Sequence, residues 1–210
     1  ALRDISIEIG GNEFVAVAGA SGSGKTTLIQ HLNGLLKPDK GIVRINGTDI
    51  HSSAADMSAI RKQIGLVFQF PEMQLFEETV FEDVAFGPRN LGCSNEEVEE
   101  QVSRSLRLVG LGSGSYRKRA PFHLSGGEKR RAAIAGVIAM DTEILILDEP
   151  TVGLDKRSSD QVEKIMKEFH SQGKTVIFVS HDMDFVARLA HRVIVLADGK
   201  KIDDGEKKQL

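Results

Sequence analysis

The chain has 210 residues, 40% hydrophobic and 27% charged, with a formal net charge of −3. That suits a single domain over residues 1–210, and it argues against a nucleic-acid partner, which would call for a basic face. No apolar run approaches the roughly 20 residues of a membrane span, and a lone cysteine, Cys93, allows no intrachain disulfide, so a reducing compartment is the simplest setting.

Residues 2–9, "LRDISIEI", alternate polar and apolar, the pattern of an antiparallel strand with one wet face. After a turn at Gly10, Gly11 and Asn12, the continuous apolar run "FVAVAG" (14–19) predicts a strand buried on both faces. A helix is expected from Lys25 to about Leu36, stopped by Lys37 and Pro38. "GIVRING" (41–47) predicts a strand ending in an Asn-Gly turn, and "IGLVFQ" (64–69) another buried strand. In the middle, Ser94 and Glu97 form a capping box, and Val98, Val102, Leu106 and Val109 mark one helical face. With "EETVFEDVAFG" (77–87) they predict a helical subdomain over about 75–140. Within it, Lys129, Arg130 and Arg131 read as a solvated helix face.

Core chemistry then resumes. "EILILDEP" (143–150) reads as strand then turn, 156–171 as helix, "TVIFVS" (175–180) as strand, 182–190 as helix and "RVIVLADG" (192–199) as strand. Strands alternating with helices imply an α/β fold: a mostly parallel core sheet flanked by helices, with a small antiparallel β part.

Three stretches carry chemistry. "GASGSGKTT" (19–27) fits G-x-x-x-x-G-K-[ST] at Gly19, Gly24, Lys25 and Thr26, between a buried strand and a helix. Ala20, Ser21, Gly22, Ser23 and Thr27 complete the expected phosphate cradle. Glycines let backbone N–H groups close around phosphate oxygens, and the helix dipole adds positive potential. Lys25 is expected to reach the β and γ phosphates, and the Thr26 hydroxyl to ligate Mg²⁺. Next, "ILILDE" delivers Asp148 and Glu149 to the carboxyl end of a buried strand, where open α/β sheets bind ligands. Asp148 can hold Mg²⁺, directly or through water, and Glu149 can orient an attacking water. Two acids at a strand end can also be a solvated turn; the neighbouring phosphate loop favours the first reading.

The third stretch, "LSGGE" (124–128), opens a helix with two adjacent glycines, although each costs about 1 kcal/mol relative to alanine in a helix interior. A capping box between Ser125 and Glu128 accounts for the ends of the motif but not for Gly126 and Gly127. A bare helix start is an anion site. Beside an existing phosphate loop it is redundant unless both grip one nucleotide from opposite sides.

At these residues the sequence resembles the ATP-binding-cassette (ABC) ATPases, which carry the same motifs in the same order: "GASGSGKTT", Gln69, "LSGGE", "ILILDE", "GLD" (153–155) and His181. The resemblance implies a P-loop NTPase of ABC type that hydrolyses ATP with Mg²⁺ in a head-to-tail pair. It implies that Ser125, Gly126 and Gly127 contact the ATP held by the facing subunit, and that Asp155 crosses the interface. Gln69 would sit near Mg²⁺ and the membrane partner, and His181 would hydrogen-bond the γ-phosphate and the water. His31, His51, His123, His170 and His191 are read as structural.

"VFQFPEMQLFEETVFEDVAFGPRNLG" (67–92) and "LSGGEKRRAAIAGVIAM" (124–140) are similar to the ATPase subunits of energy-coupling-factor (ECF) transporters, including cobalt-type importers. This implies an importer for vitamins or transition-metal ions, and a homo- or heterodimer of ATPase subunits peripheral to the cytoplasmic face of the membrane. The stretch from Gln69 to Phe76 would meet a transmembrane subunit. Five of the ten phenylalanines fall within 68–86, and the plain reading places most of them in the subdomain core. Phe70, Pro71, Met73, Leu75 and Phe76, however, follow Gln69, where an apolar groove would accept an amphipathic coupling helix. The rival is a non-transport ABC ATPase of DNA repair or chromosome maintenance. Those insert long coiled coils between the phosphate loop and the LSGGE motif, the signature of the family, whereas Lys25 and Ser125 are only 100 positions apart here, without sustained heptads. No aromatic precedes Phe14, so no adenine-stacking residue is assigned, and both ends are expected to be incomplete.

Overall fold

The computed structural model describes residues 2–53 and 55–206. Strand β1 (Phe14–Ala18) is buried at every position, as its unbroken apolar run requires. It leads through the glycine loop into α1 (Lys25–Leu32). A short hairpin, β2 (Arg44–Ile45) and β3 (Thr48–Asp49), turns at Asn46 and Gly47. Helix α2 (Met57–Gln63) runs straight into β4 (Ile64–Val67). The helices α3 (Val80–Asn90), α4 (Asn95–Leu108), α5 (Gly114–Arg117) and α6 (Gly126–Ile138) follow. The chain then alternates: β5 (Ile144–Asp148), α7 (Lys156–Ser171), β6 (Thr175–Val179), α8 (Met183–Leu189), β7 (Arg192–Ala197) and β8 (Lys200–Glu206).

The main sheet runs β4-β5-β6-β1-β7-β8, parallel throughout except for β8, which pairs antiparallel with β7. Both faces are covered, and the strand period of two divides the core between them. Phe14, Ala16, Leu145, Leu147, Val176 and Phe178 point to the face shared with α3, α4, α6 and α7. Val15, Val17, Ile146, Ile177 and Val179 point to the opposite face, under Leu28 and Ile29 of α1. Because β5, β6 and β1 are adjacent and parallel, their carboxyl ends share one edge. The glycine loop, Glu149 and His181 all follow from that edge.

Several expectations are corrected. Residues 2–9 keep their alternation, with Leu2, Ile5, Ile7 and Ile9 half-buried against the second core face, but pair into no strand among the described residues. A period of two sets which side chains face inward; it does not supply a neighbour for the backbone. Helix α1 ends at Leu32, short of Leu36, where Gly34 adopts a left-handed φ of 76°. Strand β8, rich in charge and assigned no element from the sequence, is fastened by Arg192, which donates to both carboxylate oxygens of Asp204 at 2.7 and 3.0 Å. None of the five phenylalanines in 68–86 is fully buried; aliphatic residues such as Val80, Val84, Val102 and Leu106 fill that core instead.

The run Lys129, Arg130 and Arg131 is not a solvated face. Lys129 is half-buried, while Arg130 and Arg131 retain only 1% and 9% exposure. Arg131 donates to the carbonyls of Val109 (2.9 Å) and Gly127 (3.3 Å). A charge run resembles a wet surface in sequence because its partners lie far along the chain.

Helix α6 approaches β4 closely at Gly65, where an added Cβ would come within 2.4 Å of Val137 Cγ1 and 3.2 Å of Thr142 Oγ1. Gly65→Val is therefore expected to lower the unfolding free energy by about 1–3 kcal/mol, read by denaturant titration.

Candidate functional site

The glycine loop is shaped by close approach. Gly19 has φ 146°, and a Cβ there would fall 2.2 Å from the Leu196 carbonyl oxygen, so no side chain fits. Helix α1 begins with no side-chain cap and no acid in its first turn, which leaves its N-terminal amides to the loop's concave side. Lys25 is buried and donates from Nζ to the carbonyl oxygens of Gly19 and Ala20, both at 2.8 Å.

Asp148, the last residue of β5, accepts a hydrogen bond at Oδ2 from Thr26 Oγ1 (2.9 Å) and is only 5% exposed. Burial pushes its carboxyl above the usual range; the Thr26 hydroxyl opposes this, the neighbouring Glu149 charge adds to it and the Lys25 ammonium counters it. Glu149 turns the chain off the strand at φ 46°, in the left-handed region that non-glycine residues seldom occupy. Its N–H donates to the Val179 carbonyl (3.0 Å), so β6 holds the turn. Its Oε1 lies 2.9 Å from Nδ1 of His181, whose ring is largely exposed. A carboxylate only accepts, so Nδ1 carries the proton in this pair.

These groups share one cleft of about 510 Å³. It is lined by Ser21, Gly22, Gly24, Lys25, Thr26 and Thr27 from the loop and α1, and by Gln69, Asp148, Glu149 and His181 with Val152 and Val179. Gly19, Ala20 and Ser23 shape the loop from outside that lining.

Four of the residues singled out in the sequence lie elsewhere. Ser125, Gly126, Gly127 and Asp155 line no part of this cleft. Ser125 caps α6: its Oγ accepts from the Glu128 N–H (3.3 Å), and Glu128 Oε2 accepts from the Ser125 N–H (2.8 Å). The Tyr116 hydroxyl donates to the other Glu128 oxygen at 2.7 Å and holds the box in place. The two glycines differ. At Gly127 a Cβ would come 2.4 Å from Ser158 Oγ and 3.0 Å from Ser158 Cβ, so a side chain there would crowd the start of α7. At Gly126 a Cβ would meet nothing within 4 Å, so no contact inside the chain requires that glycine. Asp155 caps α7, accepting from the Ser158 N–H at 2.7 Å, and this bond holds its carboxyl below the usual range.

Sequence reasoning missed Arg130 and Glu72. The guanidinium donates to both Glu72 oxygens and to the carbonyls of Pro150 and Val152 just beyond Glu149. A signal was present: Arg130, Ile134 and Ile138 recur at the i, i+4, i+8 spacing of one helix face, and a charge on an apolar stripe needs buried partners.

A model of the ABC transporter family matches residues 2–152. The energy-coupling factor transporter ATP-binding protein EcfA2 of Clostridium tetani is 53% identical over 211 residues, covering 100% of this chain and 73% of its own length. The EcfA2 of Caldanaerobacter subterraneus is 54% identical over 201 residues, 95% of this chain and 70% of that protein. Among solved structures, CbiO1 from Clostridium perfringens, part of the ABC transporter complex CbiONQ, superposes with a TM-score of 0.90 at 37% identity, over 100% of this chain and 83% of that one. A dimeric post-hydrolysis state of the ATP-binding cassette MJ0796, bound to ADP and Pi, gives 0.84 at 29% identity, over 98% and 90%. By sequence along its length and by fold, the chain belongs to the ABC transporter family, among the ATP-hydrolysing subunits of energy-coupling factor transporters.

Proposed function

We propose that this ATPase is the motor subunit of an importer for vitamins or transition-metal ions such as cobalt, and that it works as half of a head-to-tail pair with an identical or related subunit. One observation carries the reading. The groups able to hold and attack a triphosphate converge on one cleft, while Ser125, Gly126, Gly127 and Asp155 lie outside it. A second chain brings those four residues to this chain's nucleotide.

The donor set suits Mg²⁺. Thr26 and Asp148 offer hard oxygens already in contact, and among the described residues no three His, Cys, Asp or Glu side chains form a closed cage. That fits an ion shared between protein and substrate phosphates. Thr26, Asp148 and Gln69 would hold it, and when bound it would neutralise charge on the β and γ phosphate oxygens.

Lys25 exchanges its two loop carbonyls for phosphate oxygens, trading neutral acceptors for charged ones. Glu149 orients a water in line with the γ-phosphorus and accepts its proton as the water oxygen bonds phosphorus and the β–γ bridge breaks, leaving ADP and phosphate. His181 positions the same groups. With its Nδ1 proton directed at Glu149, only the imidazolium can also donate from Nε2 to a γ-phosphate oxygen. Ser125 serves cap and ligand together, since capping uses an oxygen lone pair and leaves the hydroxyl proton for the facing phosphate. Loss of the γ-phosphate removes the bridge between the halves, and the pair opens.

The segment after Gln69 presents Met73 (84% exposed) and Phe76 (61% exposed), with Phe76 edge-on to Phe86 at 5.0 Å. Asp83 accepts from the N–H groups of Phe76 and Glu77 and fixes this loop on α3. Such an apolar surface fits an amphipathic helix of a transmembrane subunit, with the ATPase peripheral to the cytoplasmic face.

Glu149→Gln should lower turnover about 10²–10⁴-fold with ATP binding retained, measured by phosphate release and nucleotide titration; normal hydrolysis would remove Glu149 from its role. Lys25→Ala should weaken ATP affinity at least about tenfold, and unchanged binding would discredit the phosphate-loop assignment. Met73→Ser combined with Phe76→Ser should reduce recovery of the membrane complex while basal hydrolysis stays near the parent value. The opposite pattern would make these side chains structural.

A further inference from the structure

Arg130 enters from the second turn of α6 and is the largest fully buried side chain. Its Nε and Nη2 donate to Glu72 Oε2 (2.6 Å) and Oε1 (2.9 Å), a bidentate pair across 58 positions of sequence. Its Nη1 donates to the Pro150 carbonyl (2.9 Å), and Nη2 also to the Val152 carbonyl (3.2 Å). The Phe70 ring lies against the guanidinium, with Cζ 5.7 Å from its centroid, and approaches Gly153, whose added Cβ would sit 3.8 Å from Phe70 Cε1. Four of the five guanidinium donors are thus used, on two segments far apart in sequence.

The carbonyls it holds belong to the turn that starts at Glu149. That turn closes on itself where the Val152 N–H donates to the Glu149 carbonyl at 3.3 Å. Val179 of β6 fixes its entry through the Glu149 N–H, and Arg130 fixes its far side. Glu149 occupies a left-handed conformation that an L-residue keeps only when its surroundings over-determine it. The guanidinium fork is part of that determination.

We propose that Arg130 is a positioning residue for hydrolysis: one buried guanidinium sets the turn that aims Glu149 and ties it to Glu72 in the segment after Gln69. This rests on Glu149 being the group that orients the attacking water. Reorientation by about 1 Å at a catalytic group is enough to cost two orders of magnitude in rate, without altering how the triphosphate is held.

The test uses the full-length subunit in its membrane complex. Arg130→Met should lower kcat about tenfold or more with the KM for ATP within about twofold of the parent, because Lys25 and the loop amides are untouched. Arg130→Met also leaves the Glu72 carboxylate unpaired, so it is compared with the double variant Arg130→Met, Glu72→Met, which removes both charges together. The double variant should regain thermal stability but not kcat. If kcat returns with stability, or if Arg130→Met turns over normally, Arg130 is structural and the proposal is overturned. Glu149→Gln is run in parallel. Normal turnover in that variant overturns the assignment of Glu149 and this proposal with it, whereas a slow Glu149→Gln beside a fast Arg130→Met overturns the role of Arg130 alone.

Discussion

Three adjacent parallel strands, β5, β6 and β1, govern the rest of the molecule. Their backbone registers bring Asp148 opposite Val179, and Val179 opposite Val17, two residues before the glycine loop begins at Gly19. Each strand is apolar on both faces, so sliding any of them by one residue would exchange two complete core faces at once. The reactive groups at the carboxyl edge inherit that rigidity. Thr26 reaches Asp148 across β6, and Glu149 reaches His181 from the next strand over, because hydrophobic burial below the edge has already fixed where each strand ends.

Charge is then placed inside that frame under tight conditions. A buried carboxylate or guanidinium is tolerated only when it is paired and hydrogen-bonded. Asp148 meets the condition with Thr26 and a nearby Lys25; burial still raises its carboxyl, which leaves it poised to gain from a cation. Arg130 meets it with one carboxylate and two carbonyls, and in doing so joins the segment after Gln69 to the turn after Asp148. Two regions distant in sequence therefore share one partly buried ion pair.

The signature helix start follows a different logic. Its cap is closed within the chain by Ser125 and Glu128 and reinforced by Tyr116, so the helix is stable without a ligand. Gly127 serves the internal packing against Ser158, whereas Gly126 meets no neighbour in this chain. One glycine of the pair thus has a reason inside the chain. The other has none there; in the pairing proposed above it would lie bare toward the second subunit.

The sequence by itself determined what depends on local pattern and chemical type: the buried strands, the helix caps at Ser94 and Ser125, the phosphate loop, and the acids closing β5. These features are legible because period, cap chemistry and glycine spacing act over a few residues. Tertiary structure alone decided the matters of distance along the chain. It buried Arg130 and Arg131 in a run that reads as solvated, left none of the phenylalanines of 68–86 fully buried, paired the charged β8 through Arg192, and left residues 2–9 unpaired with any described strand. The physical reason is that a buried charge, a ladder or an exposed ring is settled by the partner it meets: Arg130 finds Glu72 58 positions away, and β8 folds back on β7 through Arg192 and Asp204, 12 positions apart.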